Sequence, residues 1–263
     1  MKILFIGDIV GRSAREKVKE KITFLKKKYL PDVIIANAEN ATGGYGISKK
    51  DADDLLGSGI DLLTLGNHAW DQREMLTYIN DNPRIVRAIN YPDVVPGKGS
   101  YTLELINGKK IVVVQVMLRL FMGVILDDPF SKINTFLLSE KLGSTCDSIV
   151  IDMHGEATSE KNAFGHYVDG KVSAVLGTHT HIPTSDNIVL PKGTAYQTDV
   201  GMTGNYNSVI GMEIENPIHG FTKGYRAEGR FSPAKGNITI CGALVETNNN
   251  TGLAKSILTI KEN

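Results

Sequence analysis

Asp8, Glu39-Asn40, Asn67-His68, His154 and His179-Thr180-His181 each stand at the carboxyl end of a short apolar run. The runs are Ile3-Leu4-Phe5-Ile6, Ile34-Ile35-Ala36, Leu62-Leu63-Thr64-Leu65, Ile149-Val150-Ile151-Asp152-Met153 and Val175-Leu176. Of the six histidines in the chain, four fall at these junctions. Imidazole nitrogen combined with carboxylate and amide oxygen suits first-row cations such as Fe, Mn, Zn or Co. Neither Cys146 nor Cys241 joins the set, which excludes a structural zinc finger. So many candidate ligands exceed the needs of one catalytic ion with open positions, and two ions sharing a carboxylate account for them better. Two cations about 3.5–4 Å apart can clamp a phosphoryl displacement and acidify water.

Each residue alone has an ordinary explanation. An aspartate after a strand commonly caps a turn, a single histidine there is usually a satisfied structural group, and Asn67 after Gly66 tolerates a left-handed turn. Together these explanations weaken, because five separate junctions would have to carry ligand chemistry by coincidence.

Placing these residues on one edge requires strands that alternate with helices. Lys2–Gly7, Val33–Ala36 and Leu62–Leu65 read as buried strands. Between them, Ala14, Val18, Ile22 and Leu25 mark one face of a helix with Ser13 as its cap, and Ser48 opens a second helix running through Leu56. The alternation predicts an α/β fold with a largely parallel sheet. Farther on, Tyr101–Ile106 and Lys110–Val116 flank Asn107-Gly108, which predicts a type I′ hairpin. Ile149–Met153, Ala174–Leu176 and Thr194–Gln197 are further strands, with a helix from Ser159 to about Gly165. Ile238–Val245 and Leu253–Ile260 close the chain as a hairpin. From Thr203 to Gly236 glycine, asparagine, proline and charges break every pattern, and the segment reads as a cap or lid. No internal repeat or low-complexity linker divides residues 1–263, which are read as one domain.

Twenty-nine basic residues balance twenty-nine acidic ones, so no global positive field exists to hold a long nucleic acid. The opening apolar run is cut by Asp8 and is too short for a signal peptide. Ile111–Leu126, interrupted by Gln115 and Arg119, falls short of the roughly 20 residues a spanning helix needs. Two distant cysteines suit a reducing compartment, and the chain is expected to be cytoplasmic.

Several blocks in order resemble the calcineurin-like metallophosphoesterases, and more closely their YmdB-like branch of bacterial cyclic-nucleotide phosphodiesterases. They are Gly7-Asp8-Ile9-Val10-Gly11, Ala38-Glu39-Asn40-Ala41, Gly66-Asn67-His68-Ala69-Trp70, Asp127-Asp128-Pro129-Phe130, His154-Gly155-Glu156-Ala157-Thr158-Ser159-Glu160-Lys161, Gly177-Thr178-His179-Thr180-His181 and Thr198-Asp199-Val200-Gly201-Met202. The resemblance runs to Ile240-Cys241-Gly242, essentially the whole chain. It implies a two-layered β core flanked by helices. It also implies one metal on Asp8, Glu39, Asn40 and His181, and a second on Glu39, Asn67, His154 and His179. Iron or manganese is expected first, zinc or cobalt next. His68 would protonate the leaving oxygen while a metal-bridging hydroxide attacks phosphorus. Against the broad superfamily, Val10 replaces the histidine of Asp-x-His, and Glu39 replaces the bridging aspartate. Both changes belong to the YmdB-like branch, with Asn40 standing in for the missing imidazole. The Thr198–Gly201 block reads as a structural turn.

The implied substrate is a 2′,3′-cyclic nucleotide opened to a 3′-nucleotide, with no stable nucleic-acid complex, no membrane, and a homo-oligomer as the family expectation. Thr42-Gly43-Gly44-Tyr45-Gly46 would let backbone approach phosphate and Tyr45 stack on a base, although a turn with a partly buried tyrosine fits equally. A nucleotidase-type phosphomonoesterase and a regulatory RNA- or nucleotide-binding protein are the alternatives.

Overall fold

Near-continuous apolar strands are stable only when both faces of a sheet are covered, and the chain meets this demand with two stacked sheets between outer helices. The computed structural model describes residues 1–225 and 229–263. The first half runs β1 Lys2–Ile6, β2 Asp8–Ile9, α1 Gly11–Tyr29, β3 Val33–Asn37, α2 Lys49–Gly57, β4 Leu62–Thr64, α3 Met75–Asp81 and β5 Ile85–Val86. A second run follows with β6 Ser100–Glu104, β7 Lys110–Met117, α4 Pro129–Ser139, β8 Ser148–His154, α5 Thr158–Val168, β9 Ala174–Thr178, β10 Ile188–Val189 and β11 Ala195–Gln197. The chain ends with β12 Met202–Asn205, α6 Glu215–Lys223, β13 Ile238–Thr247 and β14 Ala254–Glu262.

One sheet has the order β2-β12-β13-β1-β3-β4-β5 with β14 on β13, and the other the order β10-β11-β9-β8-β7-β6. β1, β3, β4 and β5 are parallel in the first, and β7, β8, β9 and β11 in the second. Side-chain alternation sorts the core. Ile3 and Phe5 of β1 point between the sheets, where they meet Ile111, Val113 and Val150, whereas Leu4 and Ile6 point outward under Ala14, Val18, Ile22 and Leu25 of α1. On the far side Val112, Val114 and Val116 of β7 pack beneath Ile133 of α4 and Phe164 of α5. The expected two-layered β core flanked by helices is therefore present.

Local details differ from the sequence reading. Ser13 caps nothing; α1 starts at Gly11 after Val10, and the Gly11 N–H donates to the Asn40 carbonyl at 2.9 Å. Backbone from the neighbouring loop thus replaces a side-chain cap. The Asn107-Gly108 hairpin is not type I′. Gly108 has φ +77°, Asn107 does not share a positive φ, and the Gly108 N–H bonds to Leu105 O. Ile106 and Asn107 therefore form the corner, and the glycine supplies the left-handed residue after it. Helix α4 has no counterpart in the sequence reading, although Pro129 sits in its first turn and Asp128 caps the Phe130 and Ser131 amides. Thr203–Asn205, assigned to the irregular segment, pair with Ile238–Ile240 in the first sheet. Residues 226–228 of that segment lie outside the described residues. Among the described residues, no helix is long and apolar enough to cross a membrane.

Candidate metal centre

The carboxyl ends of the parallel strands in both sheets open on the same edge, and the candidate ligands divide between them. Asp8, Glu39, Asn40 and Asn67 follow strands of the first sheet; His154, His179 and His181 end or follow strands of the second. Oxygen donors thus face nitrogen donors across the sandwich. Two groups form: Asp8, Glu39 and His181, and Glu39, His154 and His179, with the ligating atoms of each within 4.8 Å of one another. Glu39 is common to both. The two amides fall beside these groups, Asn40 Oδ1 at 3.2 Å from His181 Nε2 and Asn67 Oδ1 at 2.9 Å from His154 Nε2.

Close approach sets this geometry. A side chain at Gly66 would overlap the Glu39 carboxylate and crowd the His154 ring, so glycine lets the segment leaving β4 pass that near. His154 Nδ1 lies 2.9 Å from Thr178 Oγ1, and that hydroxyl donates to Asp152 Oδ1 at 2.6 Å. With its proton committed to Asp152, Thr178 can only accept, so His154 carries hydrogen on Nδ1 and turns Nε2 to the site. His181 is fixed likewise by donation from Nδ1 to the Ile210 carbonyl at 2.7 Å. Holding the outer ring nitrogen is how a protein aims a histidine ligand.

The donor set fits cations. Asp8 is fully buried, yet its Oδ1 has no hydrogen-bond partner, an expensive state for a carboxylate oxygen that a cation would relieve. Around His154 Nε2 stand Asn67 Oδ1 at 2.9 Å and Glu39 Oε1 at 3.3 Å, a nest of oxygens that holds either a proton or a metal. Seven of the eight expected residues share this cluster. His68 stands apart, at its rim.

Electrostatics in the cluster favour protons where cations are absent. Burial pushes the Asp8 carboxyl up to about 7, against the pull of His181. Burial also opposes ionisation of Glu39, but His154 outweighs it and holds that carboxyl below the usual range. Conversely, burial lowers His154, and Glu39 more than compensates, raising it to about 9. His179, desolvated and facing His154, is pushed down to about 3 and is neutral throughout the working range. At pH 7 a cation must therefore displace the His154 proton and part of one on Asp8. Metal uptake should release about one proton or more and strengthen as pH rises from 6 to 9. Calorimetry in two buffers of different ionisation enthalpy reads this directly, and binding heat independent of the buffer would refute it.

His68 belongs to neither ligand group. Its backbone N–H donates to Glu39 Oε2 at 3.1 Å, while Nδ1 lies 2.9 Å from Asp71 Oδ2. Tyr45 meets the imidazole edge-on with ring centroids 5.2 Å apart. Asp71 accepts the Nδ1 hydrogen and so fixes the ring. Sequence reasoning missed Asp71, Asp152 and Thr178. Asp152 carried a signal, being a charge in the middle of an otherwise apolar strand; Thr178 carried none. The Thr198–Gly201 block, read as a structural turn, holds Asp199, which is buried and accepts from Lys161 Nζ, the Thr180 amide and the Gly201 amide. Residues of the irregular segment reach the site as well, since Met212 and Phe231 pack with Val10 and Tyr45.

Comparison with known proteins matches a family model described as "YmdB-like protein" to residues 4–260. A Bacillus subtilis (strain 168) protein named 2′,3′-cyclic-nucleotide 2′-phosphodiesterase is 46% identical over 257 residues, covering 98% of this chain and 95% of the relative. A crystal structure of a hypothetical protein from Thermus thermophilus superposes with a TM-score of 0.90 at 41% identity, covering 100% of both chains. Another, described as a novel phosphatase from Mycoplasma pneumoniae, gives 0.91 at 35% identity, with 99% of this chain and 92% of that one covered.

Proposed function

Because the chain belongs to the YmdB-like family and is a phosphoester-hydrolysing enzyme, we propose that it opens 2′,3′-cyclic nucleotides to 3′-nucleotides at a two-metal site. The observation that carries this reading is the shared carboxylate: Glu39 belongs to both ligand groups, and the groups are otherwise disjoint. Asp8, Glu39, Asn40 and His181 would hold one ion, and Glu39, Asn67, His154 and His179 the other. Iron or manganese suits this oxygen-rich set, with zinc or cobalt as substitutes. Bound there, a cation pair would neutralise phosphate charge and lower the pKa of water.

The chain's own residues supply orientation and a proton. With only Asp8 and Glu39 as anions among the proposed ligands, the loaded centre stays positive and attracts a phosphodiester. Hydrolysis adds the elements of water across the P–O2′ bond; the phosphate keeps the 3′-ester, and the 2′-oxygen leaves as an alkoxide that needs a proton. His68 at the rim offers it from Nε2, with Asp71 fixing the ring. Residues 1–263 act as one unit in this reading, and the described part of the segment beyond β12 caps the site, as Ile210, Met212 and Phe231 support. Buried Cys146 and Cys241, both free, suit the cytoplasm.

Incubation of the metal-loaded protein with 2′,3′-cyclic AMP should accumulate 3′-AMP. Accumulation of 2′-AMP would reverse the leaving group. No turnover with both metals bound would remove cyclic nucleotides as substrate. Preferential release of phosphate from 3′-AMP would favour a phosphomonoesterase, the reading suggested by the Mycoplasma pneumoniae relative's description.

A further inference from the structure

His179 and His181 occupy a turn that side chains seldom tolerate, with φ of +102° and +65°. Histidine enters left-handed backbone more readily than most residues, but two such residues in one turn are uncommon, and the surroundings hold both. Immediately before the turn, the Thr178 carbonyl accepts from Lys161 Nζ at 2.8 Å. Between the histidines, the Thr180 amide donates to Asp199 Oδ2 at 3.0 Å. Lys161 Nζ and Asp199 Oδ2 themselves lie 3.0 Å apart, and both side chains are fully buried. Asp199 Oδ1 accepts the Gly201 amide, locking the carboxylate to the strand leaving the site. At Gly177, two residues before His179, any side chain would collide with the Thr198 carbonyl, so the two segments are drawn as close as backbone allows.

We propose that Lys161 and Asp199 are positioning residues that force His179 and His181 into these left-handed conformations and so aim one imidazole at each metal. A buried ion pair is a poor choice for stability alone, since well-packed neutral residues of similar size commonly do as well. Its value here lies in the two backbone groups it holds on either side of His179. Lys161 comes from the first turn of α5 and Asp199 from beyond β11, so the pair ties the turn to two elements that supply no ligand. It leaves other restraints on the turn untouched, among them the His179 amide on Asp8 Oδ2, His179 Nε2 against Glu156 Oε2, the His181 ring on Ile210 O, and the Met202 amide and Tyr206 hydroxyl on His181 O. The inference rests on His179 and His181 being metal ligands.

The test is the double variant Lys161→Met/Asp199→Asn, which removes both charges with little change of shape. Metal-free melting temperature, Mn²⁺ affinity and the visible spectrum of the Co²⁺-loaded protein are measured beside the unaltered chain. Unchanged melting with metal affinity about 10–100-fold weaker, and a Co²⁺ spectrum showing altered coordination, is the expected result. Wild-type affinity and spectrum would overturn the proposal. If the double variant does not fold, Asp199→Asn alone makes the same comparison, with the same two outcomes; failure of both to fold would make the pair structural and also overturn it. A separate control, His179→Ala, distinguishes the failures: if it keeps both metals at wild-type affinity, the ligand reading itself is wrong.

Discussion

Glu39→Gln is expected to leave a folded chain that retains neither cation through desalting and turns over cyclic substrate about 10³–10⁴-fold more slowly. The magnitude follows from the several kcal/mol a Lewis-acidic centre contributes to the transition state, at a factor of ten for each 1.36 kcal/mol. Glutamine matches the shape of glutamate, so the close passage of Gly66 against this side chain survives. What disappears is the one charge common to both ligand groups. Asp8 alone would then face two cations. The effect on protons runs the same way: Glu39 raises His154 to about 9, and without that carboxylate the desolvated ring returns toward neutrality. Proton release on any residual metal binding should shrink accordingly. Elemental analysis after desalting, with turnover on the same sample, checks the expectation. Two retained metals would show that Glu39 does not bridge.

His68→Ala should separate proton transfer from metal binding. Both metals stay, because His68 lies outside the ligand groups, while turnover of 2′,3′-cyclic AMP falls by roughly 10²–10⁴-fold, the usual worth of a general acid. The deficit should depend on the leaving group. A ribose 2′-alkoxide needs a proton as it departs, whereas p-nitrophenolate does not, so a p-nitrophenyl phosphodiester should lose far less. Equal losses on both substrates would argue that His68 binds or orients rather than protonates. Loss of metal would make it a ligand. Asp71→Asn should reproduce part of the deficit, since the ring nitrogen now held at 2.9 Å from a carboxylate would lose its charged partner.

The same histidine shows how far reasoning from residues reaches. A candidate proton donor beside the candidate ligands could be named from the block Gly66-Asn67-His68, but the ring's orientation depends on Asp71, three residues away in a loop whose course no periodicity reveals. The type I′ reading of Asn107-Gly108 failed for a related reason. A turn glycine announces a left-handed residue without saying which corner position it fills. Likewise, the dissolving pattern after Thr203 concealed a strand, because β12 is short and its partner Ile238–Ile240 lies more than thirty residues onward.

By itself the sequence determined the α/β character and nominated the candidate donors, because both rest on local chemistry. Apolar runs bounded by glycine fix where strands end, and the residue after each end is written in the chain. Tertiary structure alone decided that two strand edges from different sheets converge. That convergence sets oxygen donors of the first sheet against nitrogen donors of the second and places Glu39 within reach of both groups. It also decided which nitrogen of each ring faces inward, through Thr178, Asp152 and Ile210. Those choices depend on distances between residues separated by up to 173 positions, from Asp8 to His181, and only packing of the two sheets determines them.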